Sequence, residues 1–119
     1  MQALGLIETQ GLTAAIEAAD AAVKNADSVI AQIEYADKGY VTVKLQGGVA
    51  DVQAAVEAGA SAARRVAQLV AAHVIPRPHD DLEKLIHHTP QPTSTGIDVF
   101  NKKEKPKPQK KSTQKSTNK

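Results

Sequence analysis

The 119-residue chain predicts a small α/β domain, and three observations carry that prediction. One segment alternates apolar and polar residues with the period of a half-buried strand. Two alanine-rich segments repeat their apolar positions at helical spacing. Short apolar runs precede, separate and follow them.

The first run, Ala3 to Ile7 (Ala-Leu-Gly-Leu-Ile), suits a buried strand. The region of Gly11 and Thr13 opens a helix that should end near Asn25 to Asp27. In it most of Ala14, Ala15, Ile16, Ala18, Ala19, Ala22 and Val23 fit one broad face, with Glu17, Asp20 and Lys24 on the other. Ser28 to Glu34, with Val29, Ile30 and Ile33, reads as a second strand. Tyr40 to Gln46 is the clearest strand of all: Val41, Val43 and Leu45 alternate with Thr42, Lys44 and Gln46. Between these two lies a tight connection, Tyr35 to Gly39, in which Gly39 can take a positive φ.

Gly47 and Gly48 break the chain before a helix from about Val49 to Ala67. Asp51 falls in its first turn, where a carboxylate meets the positive end of the helix dipole. Its apolar stripe is Val52, Val56, Gly59, Ala63 and Val66. A short strand, Val70 to Ile75, is stopped by Pro76 and Pro78, and Asp80 to His88 can form a final short helix. The order β-α-β-β-α-β is the ferredoxin-like arrangement, an α+β sheet with helices on one face. That scaffold hosts many activities, so fold alone leaves function open.

Composition divides the chain into a domain over residues 1–90 and a polar spacer with a lysine-rich tail over 91–119. Residues 101–119 hold eight lysines and one glutamate, a net +7, and no large apolar side chain. Such a segment cannot bury enough surface to offset its ordering entropy, so it is predicted to be disordered. Residues 1–100 hold seven basic and twelve acidic residues, a net −5, so the basic balance belongs to the tail. The domain has 20 alanines, its two tyrosines and no tryptophan, and the one phenylalanine, Phe100, lies outside the core. Each alanine contributes little buried area, so sharing a core with partner copies would add much.

The chain has no cysteine, which excludes disulfides, a thiol nucleophile and cysteine-ligated metal. No basic residue precedes Lys24, unlike a secretory signal, and no apolar run approaches the roughly 20 residues that span a bilayer. The expectation is a soluble, cytoplasmic protein with no membrane partner. His87 and His88 are adjacent, about 100° apart on a helix, while His73 falls in a strand and His79 beyond it. That spacing argues against a metal site. No nucleophile triad, phosphate-binding loop or cofactor motif is present, so neither catalytic residues nor a cofactor are expected.

Several stretches together are more specific. ALGLIETQGLTAAIEAAD (Ala3 to Asp20, continuing to Lys24), GYVTVKLQG (Gly39 to Gly47), AAVEAGASAAR (Ala54 to Arg64) and HVIPRPH (His73 to His79) resemble the shell proteins of bacterial microcompartments. The resemblance covers roughly residues 3–86 and points to the single-domain, hexamer-forming branch.

It implies a structural shell subunit: a homohexamer that tiles edge to edge with other shell hexamers and shell proteins, with a central pore. It puts Lys24, Arg77 and His79 at the hexamer edge. An arginine suits such a contact because its planar fork can satisfy several carbonyls at once, and the flanking prolines restrict the backbone that presents it. It makes Tyr35, Ala36, Asp37, Lys38 and Gly39 the pore loop. Here the chain departs from the Gly-Ser-Gly type loop of many relatives, since Asp37, Lys38 and Gly39 stand in its place. A ring of exposed lysines would favour anionic metabolites; lumen-facing carboxylates would invert the preference.

The tail is read as a solubilising segment whose charge repulsion slows uncontrolled tiling, with docking to acidic encapsulated enzymes or neighbouring shell proteins as the further option. Without aromatic residues for stacking it argues against nucleic acid as a partner. The alternative from another class is a trimeric, ferredoxin-like small-molecule sensor, against which the missing phosphate loop counts.

Overall fold

Residues 1–87 are described by the computed structural model; His88, the spacer and the tail lie outside the described residues, as does the disorder expected of that tail. Strands β1 (Ala3–Gln10), β2 (Ser28–Tyr35), β3 (Tyr40–Gly47) and β4 (Leu69–Ile75) alternate with helices α1 (Leu12–Asn25) and α2 (Val49–Val66). A 3-10 turn over Asp80–Leu82 leads into the one-turn helix α3 (Glu83–Ile86). The strands form one sheet in the order β2-β3-β1-β4, every neighbouring pair antiparallel. This is the ferredoxin-like sheet that the element order predicts.

Alternation in β3 sets the two faces. Val41, Val43 and Leu45 are buried beneath α1 and α2, together with Ile7 of β1 and Val52 and Val56 of α2. The helices reach the sheet, and each other, through small residues: Ala14, Ala15, Ala18 and Ala22 of α1, and Ala55, Gly59 and Ala63 of α2, are all buried. A Cβ on Gly59 would stand 2.6 Å from Ile7 Cδ1 and 2.8 Å from the Ala18 carbonyl oxygen, so the helices cross where only a glycine fits.

The final helix expected over Asp80 to His88 is only the 3-10 turn and the single turn Glu83–Ile86, and other expectations also need correction. β1 runs to Gln10 rather than Ile7, because its polar end is paired on both sides: Thr9 lies between Val41 and Leu69, and Thr42 Oγ1 donates to Glu8 at 3.1 Å. On α1, Ile16 is 51% exposed and Val23 39%. The five buried alanines span an arc of about 140°, and these two residues lie about 40–60° beyond it. On α2, Val66 is exposed at the helix's last residue. In β2, Val29 is exposed, and the register shifts between Ile30 and Gln32. That bulge turns both Ile30 and Ile33 toward the helices and sets Gln32 and Glu34 on the other face beside Lys44.

Lys44 belongs to the polar set that alternates with Val41, Val43 and Leu45 on β3, yet it is 9% exposed. α3 lies over that second face, where Leu82, Leu85 and Ile86 form a small apolar recess with Leu4, Leu6 and Lys44. The Lys44 ammonium pairs with Glu34 and donates to Gln32 Oε1 and to the Leu85 carbonyl, both at 3.4 Å. A cation on the last carbonyls of α3 complements that helix end. The two long helices therefore share one face, and the short one covers the other.

Candidate functional site

The residues singled out in the sequence fall at opposite ends of the sheet. Ser28, Gly47 and Ala3 share a rung at one end, beside the Leu4–Ile75 pair. Tyr35, Val41, Thr9 and Leu69 form a rung at the other. Seven residue steps separate Ser28 from Tyr35, about 23 Å of extended chain. Lys24 occupies the last turn of α1, just before β2 begins, and Arg77 follows Ile75 at the end of β4. Both lie at the Ser28 end. The loop from Ala36 to Gly39 joins β2 to β3 at the opposite end.

At the first end, Lys24 is exposed and its Nζ donates to Asp20 Oδ2 at 2.8 Å, one helical turn back. The bond and the charge of Asp20, with a smaller contribution from Glu17, raise the ammonium's pKa above the ordinary lysine value of 10.5. Lys24 is a fixed cation at any physiological pH. Arg77 is exposed between Pro76, also exposed, and the buried Pro78. Among the described residues its guanidinium makes no hydrogen bond or ion pair.

His79 serves its own chain. Its Nδ1 accepts the Asp81 backbone N–H at 3.2 Å and caps the 3-10 turn. Asp81 Oδ2 lies 3.5 Å from the same nitrogen. One nitrogen cannot accept an N–H and carry a proton at once, so cap and ion pair are alternatives.

At the second end, Tyr35, Ala36, Asp37, Lys38 and Gly39 are all exposed. Lys38 adopts φ 64° and ψ 21°, and Gly39 has φ 77°, so two successive residues are left-handed. Gly39 meets its expectation; for Lys38 the left-handed region is unfavourable and must be held by its surroundings. The loop is tied to the β1–α1 junction by the Gly11 N–H donating to the Gly39 carbonyl at 2.8 Å. Gln10 Nε2 donates to the Lys38 carbonyl, also at 2.8 Å. The Asp37–Lys38 pairing that adjacency suggests does not form: among the described residues, neither side chain has an ion-pair partner. Nothing in the sequence signals the Gln10 contact, since 28 positions separate it from Lys38. Among the described residues no three His, Cys, Asp or Glu side chains gather as metal ligands, and no helix is long and apolar enough to cross a membrane.

The description "BMC domain" matches residues 3–78. The chain is 55% identical over 85 residues to the bacterial microcompartment shell protein PduA of Citrobacter freundii, covering 71% of this chain and 91% of that protein. It is 51% identical over 85 residues to the shell protein EutM of Escherichia coli K12, covering 71% and 88%. The carboxysome shell protein CsoS1A of Hydrogenovibrio crunogenus is 52% identical over 85 residues, with 71% and 88% covered. A solved structure, a microcompartment protein from Desulfitobacterium hafniense DCB, aligns with a TM-score of 0.65 at 30% identity. The alignment takes in 76% of this chain and 50% of that one, so this chain spans half its length.

Proposed function

The chain belongs to the BMC-domain family of bacterial microcompartment shell proteins, and we propose that it acts as a hexameric tile of such a shell. Its role is structural and its place is the microcompartment shell, within the cytoplasm, where it assembles with other shell proteins. In this reading, six copies close into a ring around the Tyr35–Gly39 loops. Neighbouring rings meet through Lys24 and Arg77, with His79 shaping the turn behind Arg77. The protein carries no catalytic residue and needs no cofactor; metabolites cross at the loop.

One observation carries this reading: the loop and the edge residues stand at opposite ends of one sheet, as a pore and a rim require. A subunit set radially presents one end to the axis and the other to the next ring. A second fact supports closure into a ring. Leu12, Ile16 and Val23 make an exposed apolar strip along α1, and Val29 is 67% exposed on the edge strand β2. Exposed apolar surface of this kind marks contact with another chain. The lysine-rich tail offers acidic cargo enzymes or neighbouring shell proteins a cationic contact.

Native mass by light scattering on a sizing column tests the ring. Six copies of the 12.6 kDa chain give about 76 kDa. That mass, or larger assemblies that disperse to it, is the expected result. A stable monomer overturns the reading, and a trimer points instead to the sensor class.

A further inference from the structure

We propose that Lys44 is a strut between α3 and the stem of the Tyr35–Gly39 loop, so that lifting α3 from the sheet loosens the loop. The inference concerns the single chain and goes beyond the hexameric reading. It makes α3 a conformational control on the loop.

Two weakly held elements meet at this lysine. β2 is an edge strand, paired with β3 alone, and its register slips between Ile30 and Gln32. Among the described residues no strand pairs with the outer side of Gln32 to Tyr35, the half that leads into the loop. α3 is a single turn, far below the roughly 12 residues that an isolated helix needs. Its position therefore depends on what it docks against, and Ile86 is its one buried side chain.

Lys44 reaches both elements. It is the cross-strand partner of Gln32, and Glu34 lies two residues on, on the same face of β2 and next to Tyr35. Its ammonium pairs with Glu34 and donates to Gln32 Oε1 on β2 and to the Leu85 carbonyl on α3. An ammonium has three donors, and these three partners match them. Glu34 depends on this contact, because the hydroxyl of its cross-strand partner Thr42 is committed to Glu8.

Solvent exclusion couples the two ends. Leu82, Leu85 and Ile86 lie over the lysine, beside Leu4 and Leu6, and make its surroundings apolar. There the attraction between unlike charges is several-fold stronger than in water. Raising α3 removes the Leu85 carbonyl and admits water, so the hold of Lys44 on Glu34 weakens. The end of β2 is then left with its backbone pairing to β3. The coupling is reciprocal, so weakening the Glu34 side also loosens α3.

Hydrogen exchange read by mass spectrometry on the full chain tests the strut. The variants are Ile86→Ala, Glu34→Gln, Lys44→Met and the Ile86→Ala/Lys44→Met pair. Segment 33–40 reports the loop, whose Ala36 N–H donates to the Tyr40 carbonyl at 2.8 Å. Segment 82–87 reports α3, and 52–60 within α2 is the reference. Ile86→Ala should speed exchange about fivefold at both 82–87 and 33–40, the low end of coupling between linked sites, and leave 52–60 unchanged. Glu34→Gln should speed 82–87 in turn. In the Lys44→Met background, Ile86→Ala should still speed 82–87 but add nothing at 33–40. A helix that merely stabilised the domain would not show this dependence on the lysine. Should Ile86→Ala fail to fold, Ile86→Val takes its place under the same criterion. Unchanged exchange at 33–40, or an equal rise at 52–60, overturns the coupling. A rise at 33–40 that persists without Lys44, or unchanged 82–87 in Glu34→Gln, overturns the lysine as its carrier. The mass of the same samples tests the ring separately, and a monomer would strike that reading while leaving the strut to be judged by exchange.

Discussion

Replacing Gly59 with alanine separates helix propensity from helix packing at the crossing of α1 and α2. In an exposed helix interior the change would stabilise by about 1 kcal/mol, since alanine loses less backbone entropy than glycine. Here the new Cβ would stand 2.6 Å from Ile7 Cδ1 and 2.8 Å from the Ala18 carbonyl oxygen. Ile7 is fully buried and the oxygen belongs to the backbone of α1, so neither can swing aside freely. Overpacking of this kind costs about 1–3 kcal/mol. The clash should outweigh the propensity gain, leaving a net loss of roughly 1 kcal/mol, or about 4–8 °C in Tm for a domain of this size. Thermal unfolding followed by circular dichroism reads it, at fixed protein concentration because assembly adds stability by mass action. A Gly59→Ala protein as stable as wild type, or more so, would refute the close crossing. A second arm tests the contact directly. Ile7→Val removes Cδ1, so Gly59→Ala should destabilise less in that background; an equal loss would leave the Ala18 carbonyl as the whole obstacle.

Three further outcomes are expected. Arg77→Ala should keep the hexameric mass yet fail to form sheets in electron micrographs, because its guanidinium has no partner within the described residues; sheets indistinguishable from wild type would count against an edge role. Lys44→Met should reduce stability by about 1.5–3 kcal/mol, the scale of hydrogen bonds to a charged group. It should also speed hydrogen exchange at the His87 N–H, which donates to the Glu83 carbonyl at the end of α3, and unchanged exchange would show that Lys44 does not clamp that helix. Asp20→Asn should lower the Lys24 titration midpoint seen by NMR, since Asp20 raises it by hydrogen bond and charge. A raised folded-state pKa contributes stability below the ordinary lysine value and loses it only as pH climbs through the raised one, so the pair's effect on stability should fade above pH 10.5. A midpoint that does not move in Asp20→Asn would remove Asp20 as the cause.

The sheet and its two long helices were legible because their signals are local. Val41, Val43 and Leu45 alternate cleanly, and glycines and prolines punctuate the chain at Gly47, Gly48, Pro76 and Pro78. The end of β1 was hidden because Glu8, Thr9 and Gln10 are polar, and their strand conformation comes from partners on both sides rather than from their own pattern. The arc of α1 was drawn too wide because alanine gives a weak contrast: a face of small residues marks its centre but not its limits, and Ile16 and Val23 fall outside it. The candidate site shows the same division. Tyr35 to Gly39 and the prolines around Arg77 announce themselves as turns, whereas the grip of Gln10 on Lys38 spans 28 positions and leaves no trace in spacing.

The sequence by itself determined the order of elements, the buried face of β3, the glycine-bounded helices, and the resemblance that leads to a shell subunit. These depend on the local period of apolar residues and on backbone limits at glycine and proline, which neighbours in the chain impose. Only the tertiary structure decided that Lys44 is buried, that the bulge in β2 aligns Glu34 with it, and that Asp37 leaves Lys38 unpaired. It also decided that the loop and the Arg77 turn stand at opposite ends of one sheet. Each of those follows from which distant segments pack together, and a side chain's burial and bonding are properties of that packing rather than of its place along the chain.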